Sequence, residues 1–121
     1  MSSTLERESL IKIYQDLINR IWSSSSRMIG VMTNNALMEA AIYDTEGKHP
    51  FIGRIELSND GIGIEKLLEN CSDLTITQIK EGFEDFLAQL FGIFASMTGD
   101  VIIQQWKPKV EEVREKARHI G

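Results

Sequence analysis

The chain has 121 residues, 42% of them hydrophobic and 26% charged, with a formal net charge of -5. That length suits one domain spanning 1–121 with a modest core. The acidic balance gives no overall attraction to phosphate backbones or anionic lipid, so nucleic acid and membrane surfaces are not expected partners.

The charge is unevenly placed. Eleven acids and four bases lie between Glu39 and Asp85, while five bases and three acids lie from Lys107 to the end. Cys71 is the only cysteine, so an internal disulfide is impossible. The first residues carry no apolar signal core, and no run reaches the roughly 18 apolar residues that a membrane span needs. We expect a cytoplasmic protein.

In chain order, residues 3–22 are expected to form a helix. Ser3 and Glu6 fit a capping box, and Leu10, Ile13, Tyr14, Leu17, Ile18 and Ile21 recur at steps of three and four. Glu8 with Lys12 and Asp16 with Arg20 add ion pairs one turn apart. Ser23–Ser26 reads as a helix junction, because serine competes for helix hydrogen bonds and caps the next start.

Residues 27–43 read as a second helix. Met28, Met32, Ala36, Ala40 and Tyr43 share one line, and the small alanines would let another helix approach closely. A competing reading makes residues 38–44 a strand; the helix is preferred because Ala, Leu, Met and Glu are helix formers. His49-Pro50 ends the segment. "FIGRIEL", 51–57, alternates like a strand, "SNDG" is a turn signal, and "IGI" resumes the strand. A hairpin over about 51–64 is expected, followed by one or two helical turns at 65–71.

Residues 75–98 carry the clearest helix pattern. Thr75 and Gln78 form a capping box, Ile79, Phe83, Phe86, Leu87, Leu90, Phe94 and Met97 keep helical spacing, and Gly99 is the expected stop. Asp100 is expected to cap a last helix through Val101, Ile102, Trp106, Val110, Val113 and Ala117, kinked or divided at Pro108. The fold class is therefore mainly α: four to five helices with a short inserted β hairpin.

The stretch 87–98 is apolar nearly all round, and a helix of that kind must be covered on every side. Few elements are available to cover it. A homodimer is expected, with Leu90, Phe91, Phe94, Met97 and Trp106 near its interface; the alternative is a plain core helix surrounded by the others.

Signals for chemistry are sparse. "IELSNDGIGI", 55–64, resembles the Asp-x-Gly-x-Gly box of the ATP-binding domain shared by sensor histidine kinases and gyrase, and "NNALMEAA", 34–41, is similar to that family's asparagine-bearing helix. The resemblance implies nucleotide binding, with Asp60 reading adenine, Gly61 and Gly63 passing close to the base, and Asn35 near the metal. It covers about 30 residues, and no second glycine-rich lid follows. The same loop is no EF-hand, since its twelfth position is Leu67 where a glutamate is required. His49, His119 and Cys71 have no partners at metal-ligand spacing, and no cofactor is expected. A Cys71 nucleophile with His49 as base remains an open pairing at this stage. The function expected is that of a small non-enzymatic protein-interaction module, paired with itself and with a second protein in a signalling or regulatory assembly. The alternatives are a sensor holding a small apolar ligand between helices and a partial ATP-binding domain.

Overall fold

A computed structural model describes residues 4–120. The chain is mainly α. Helix α1 spans Thr4–Ile29, α2 Val31–Glu46, α3 Glu65–Glu69, α4 Ile76–Thr98 and α5 Asp100–Arg118. A 3-10 turn at Pro50–Arg54 precedes strands β1 (Glu56–Ser58) and β2 (Gly61–Gly63). The strands form one antiparallel hairpin with Leu57 opposite Ile62.

Helix α1 runs seven residues past its expected end, straight through the serines. Their hydroxyls can bond back to the preceding turn, which satisfies them without breaking the helix. Ser26 donates to the Ser23 carbonyl, and Ser25 is fully buried, 2.8 Å from the Ile21 carbonyl and 2.6 Å from Asn34 Oδ1. The true junction is Gly30, whose φ of 85° lets α1 stop and α2 start with a single residue between them. Asp16 and Arg20 pair at 3.1 Å as expected. The expected cap at Ser3 and the side chain of Val101 lie outside what the structure describes.

The hairpin is shorter than its alternation suggested. Phe51 and Ile52 are both buried, which consecutive residues of a one-sided strand cannot be, and the segment coils as a 3-10 turn with Pro50 at its start. Pairing is confined to 56–63. Asn59 and Asp60 form the turn, neither with positive φ; Gly61 takes that conformation instead, at 136°. Two asparagines pin the hairpin. Asn19 of α1 accepts from the Ile62 N–H at 2.9 Å, and Asn35 of α2 donates to the Ser58 carbonyl at 2.8 Å while accepting from the Trp22 indole at 2.7 Å.

Helix α4 is the hub, packed against α1, α2, α5 and the 3-10 turn. Its capping box forms as read: Gln78 N–H donates to the Thr75 hydroxyl, and the Gln78 side chain accepts from Thr75 N–H. Phe83, Phe86, Leu90 and Phe94 are buried along it. Phe83 stacks on Tyr14 at 4.8 Å and meets Phe51 edge-on at 5.8 Å. Against α5, Phe91 and Phe94 hold Trp106 at 5.5 and 5.2 Å. Helix α5 passes Pro108 undivided. Asp100 is inside that helix; its N-cap is Gly99, with no side-chain cap bond.

Helix α4 is not covered on every side. Ala88, Gln89, Gly92 and Ser96 are exposed and form its wet line. Three of the four are small, so the solvated side carries little side chain of any kind; Leu87, Leu90, Phe91, Ile93, Phe94 and Met97 all lie within the other half of the helix, and it is Ala88 and Ala95 that make the stretch read as apolar all round.

Candidate interaction surface

Helix α2 carries apolar residues on both its inner and its outer side. The face it turns inward contains Asn34, Met38, Ala41, Ile42 and Thr45, two of which are polar. Both polar groups are satisfied locally: Asn34 donates to the Trp22 carbonyl at 3.2 Å, and Thr45 donates to the Ala41 carbonyl at 2.7 Å. The opposite line is Met32, Ala36, Ala40 and Tyr43, all exposed. Met32 is 88% exposed and Tyr43 74%. At 100° per residue these four lie within a quarter of the helix circumference, pointing directly away from the core. The line read as a packing face from the sequence is therefore the outer face. A helix can be buried on either of two apolar sides, and here the side carrying Met38, Ile42 and Ala41 fills the space above α4.

Beside this face lies an open cleft of about 520 Å³ between α2 and the 3-10 turn with β1. Ile42, Ile55 and Leu57 give it an apolar floor, and Tyr43, Glu39 and Glu46 rise along the α2 side. Glu46 folds over Gly53, where a methyl group would collide with its carboxylate. Leu57 is partly exposed toward this cleft and packs on the core from the other direction.

The residues expected at a dimer interface divide. Leu90, Phe94 and Trp106 are fully buried within this chain. They have no surface left with which to meet a second copy, because α4 and α5 pack on one another there. Phe91 is partly buried against Trp106, and Met97 is 57% exposed.

The loop residues that resemble a nucleotide box have structural employment. Asp60 is exposed at the hairpin turn, where its N–H donates to the Ser58 hydroxyl. Gly61 needs its positive φ, and a side chain there would come within 2.6 Å of Asn19 Oδ1. Gly63 faces Glu56 across the hairpin. Asn35 is occupied by Trp22 and Ser58. The sheet has two strands.

The ionisable groups sort into separate places. His49 Nε2 lies 2.6 Å from Asp85 Oδ2, with Lys48 at 3.6 Å from the same oxygen. The hydrogen bond from His49, aided by the Lys48 charge, holds the Asp85 carboxyl below its ordinary range despite partial desolvation. Thr45 lines a small cleft with His49 and Asp85, and its hydroxyl donates to its own helix. Cys71 is buried, and its thiol is pushed up by desolvation, with Glu8 adding to the effect. His49 thus meets Asp85 and Phe51, while the charges that act on Cys71 are those of Glu8, Arg7 and Asp73. Glu84 turns the other way from Asp85, accepting from Tyr14 at 3.2 Å and from Arg114 at 2.8 Å. Burial and the Glu84 charge raise the Tyr14 phenol, which stays a proton donor. No group of three metal-ligating side chains occurs among the described residues, and no described helix is long and apolar enough to cross a membrane.

No protein-family model, curated protein or solved structure matches this chain.

Proposed function

We propose that this chain is a small non-enzymatic helical interaction module that holds a protein partner on the outward face of α2, in the service of a larger regulatory assembly. The observation that carries the reading is the second apolar line of α2, with Met32 and Tyr43 outside while Met38, Ala41 and Ile42 fill the core side together with Asn34 and Thr45. Apolar residues scattered over a surface need no explanation. Four in line on one helix, backed by a cleft with an apolar floor, form a contiguous patch. Met and Tyr are also residue types suited to interfaces, the first by its adaptable thioether and the second by its large, rigid, amphipathic ring.

The occupied state of the polar groups supports the non-enzymatic part. Asp85, Glu84, Tyr14 and Arg114 are each tied to one another or to His49, and they link helices. A homodimer through α4 would draw on Phe91, which is partly buried, and on Met97, which is less exposed than Met32 or Tyr43 of α2.

The test separates binding from folding. Met32→Gln and Tyr43→Gln together should leave stability within about 0.5 kcal/mol of the wild type, as surface changes do. The same pair should abolish association, read as molar mass by light scattering for self-pairing and as co-purification for a second protein. A large loss of stability in urea unfolding would mean that these side chains serve this chain's own fold, and the reading would fall.

A further inference from the structure

The outward face of α2 is apolar along its middle and acidic along the edge toward the cleft. Glu39 and Glu46 stand on the flank toward the cleft, and Asp44 stands on the other. The 16 residues of α2 include no lysine or arginine. None of the three carboxylates forms an ion pair among the described residues. Two copies of this face brought together would set acids against acids at a place being closed to water, which opposes pairing. A face whose apolar stripe is edged with lysine or arginine would meet it with attraction along the cleft flank, where Glu39 and Glu46 stand; on the other flank Asp44 shares a cleft with Lys48.

We infer that the partner on this face is a basic amphipathic helix of another protein, with apolar residues at helical spacing flanked by lysine or arginine. The inference rests on α2 being the working surface and names the chemistry of what covers it. Glu39 and Glu46 are seven residues apart, about 10 Å along the helix at 1.5 Å per residue. Two basic side chains two turns apart on the partner reach both. Tyr43 stands between the two carboxylates, so a lysine or arginine crossing to either lays its methylene stem on the exposed ring and its charge near the ring face. The cleft floor of Ile42, Ile55 and Leu57 takes an apolar side chain beside it. This is a helix laid along a groove, with anchors at helical spacing.

The experiment uses the whole chain and two helical peptides of about five turns. Both carry the same leucine and methionine stripe, flanked by lysine in one and by glutamate in the other. Binding is read by fluorescence anisotropy, and its location by amide shifts in nuclear magnetic resonance. The lysine peptide should bind, with shifts on α2, the 3-10 turn and β1. The glutamate peptide should bind at least about tenfold more weakly, and Glu39→Gln with Glu46→Gln should cost the lysine peptide about tenfold, the sum of two modest exposed pairs. Raising salt should weaken it further. Equal affinity for the two peptides, no binding of either, or shifts centred on Glu111, Glu112 and Glu115 of α5 would overturn the proposal. A wild-type dimer that Met32→Gln dissociates would give the face to a second copy: the basic partner would fall, while the interaction reading would stand. Loss of stability in the Met32→Gln, Tyr43→Gln protein would remove the reading itself.

Discussion

Asp85 shows how much one side chain can hold together and under what conditions. It joins α4 to the segment after α2, through His49 at 2.6 Å and Lys48 at 3.6 Å. Its carboxyl is held below the ordinary value in the folded chain, so folding favours the ionised form. The contribution is complete above the carboxylate's unfolded range, around pH 4, and is lost as pH falls through the lowered folded value. Stability measured by urea unfolding from pH 6 down to pH 2 should show the wild type's advantage over Asp85→Asn narrowing below about pH 4. An advantage unchanged across that range would mean the pair contributes nothing through its charge. The partner was not legible in the sequence. His49 and Asp85 are 36 positions apart, and neither lies in a pattern that announces the other. Ser25 makes the same point. Four serines in a row look like a junction because their shared property is competition with the helix, yet the one that α2 covers is buried and bonded to Asn34.

Helix α4 separates two glycines that the sequence cannot tell apart. Gly82 is buried, and a methyl there would overlap the Phe51 ring, itself fixed between Phe83 and the core. Gly92 is exposed, with nothing near the place a methyl would take. Alanine is the better helix former by about 1 kcal/mol at either position. Gly92→Ala should therefore stabilise the protein by about 0.5–1 kcal/mol. Gly82→Ala should destabilise it by about 1–3 kcal/mol, because overpacking against a buried ring outweighs the propensity gain. Thermal melts of the two variants check both signs, and a gain in both would show that Phe51 moves aside at little cost. At this scale the sequence was most informative where an element is defined by its own residues. The Thr75–Gln78 box and Gly99 bound α4 by local hydrogen bonds and local backbone freedom, so they could be read directly. The strand expected at 51–57 could not, because its alternation also fits a tight turn whose two apolar residues are both drawn inward by α4.

For the whole molecule, the deciding arrangement is α5 lying over the second half of α4. It converts Leu90, Phe94 and Trp106 from apparent surface into core. Phe94→Ala should cost about 3–5 kcal/mol and leave the molar mass unchanged, as a core truncation does. Met97→Gln, on the exposed side of the same helix, should cost less than about 0.5 kcal/mol. If Met97→Gln changed the mass measured by light scattering, self-association through the end of α4 would be restored. The core is continuous from Leu10 of α1 to Ala117 of α5, with the Tyr14, Glu84 and Arg114 bonds tying α1, α4 and α5 at its edge. Exposed pairs of this kind contribute little energy individually; their effect is to fix which sides of the three helices meet.

By itself the sequence determined the class of the fold, the caps of α4 and the presence of a hairpin turn at Asn59-Asp60, and it bounded the helices at four to five. These are local matters, set by periodicity, capping and backbone freedom within a few residues. In α2 the line Met32, Ala36, Ala40 and Tyr43 reads as the packing face, and Met38, Ala41 and Ile42 form a second apolar side opposite it. Only the tertiary structure decided which of those sides faces water, because that depends on what α4 offers opposite each. Met38, Ala41 and Ile42 fit the space over α4, Asn34 and Thr45 find their bonds within reach, and Met32, Ala36, Ala40 and Tyr43 are left outside, beside Glu39 and Glu46.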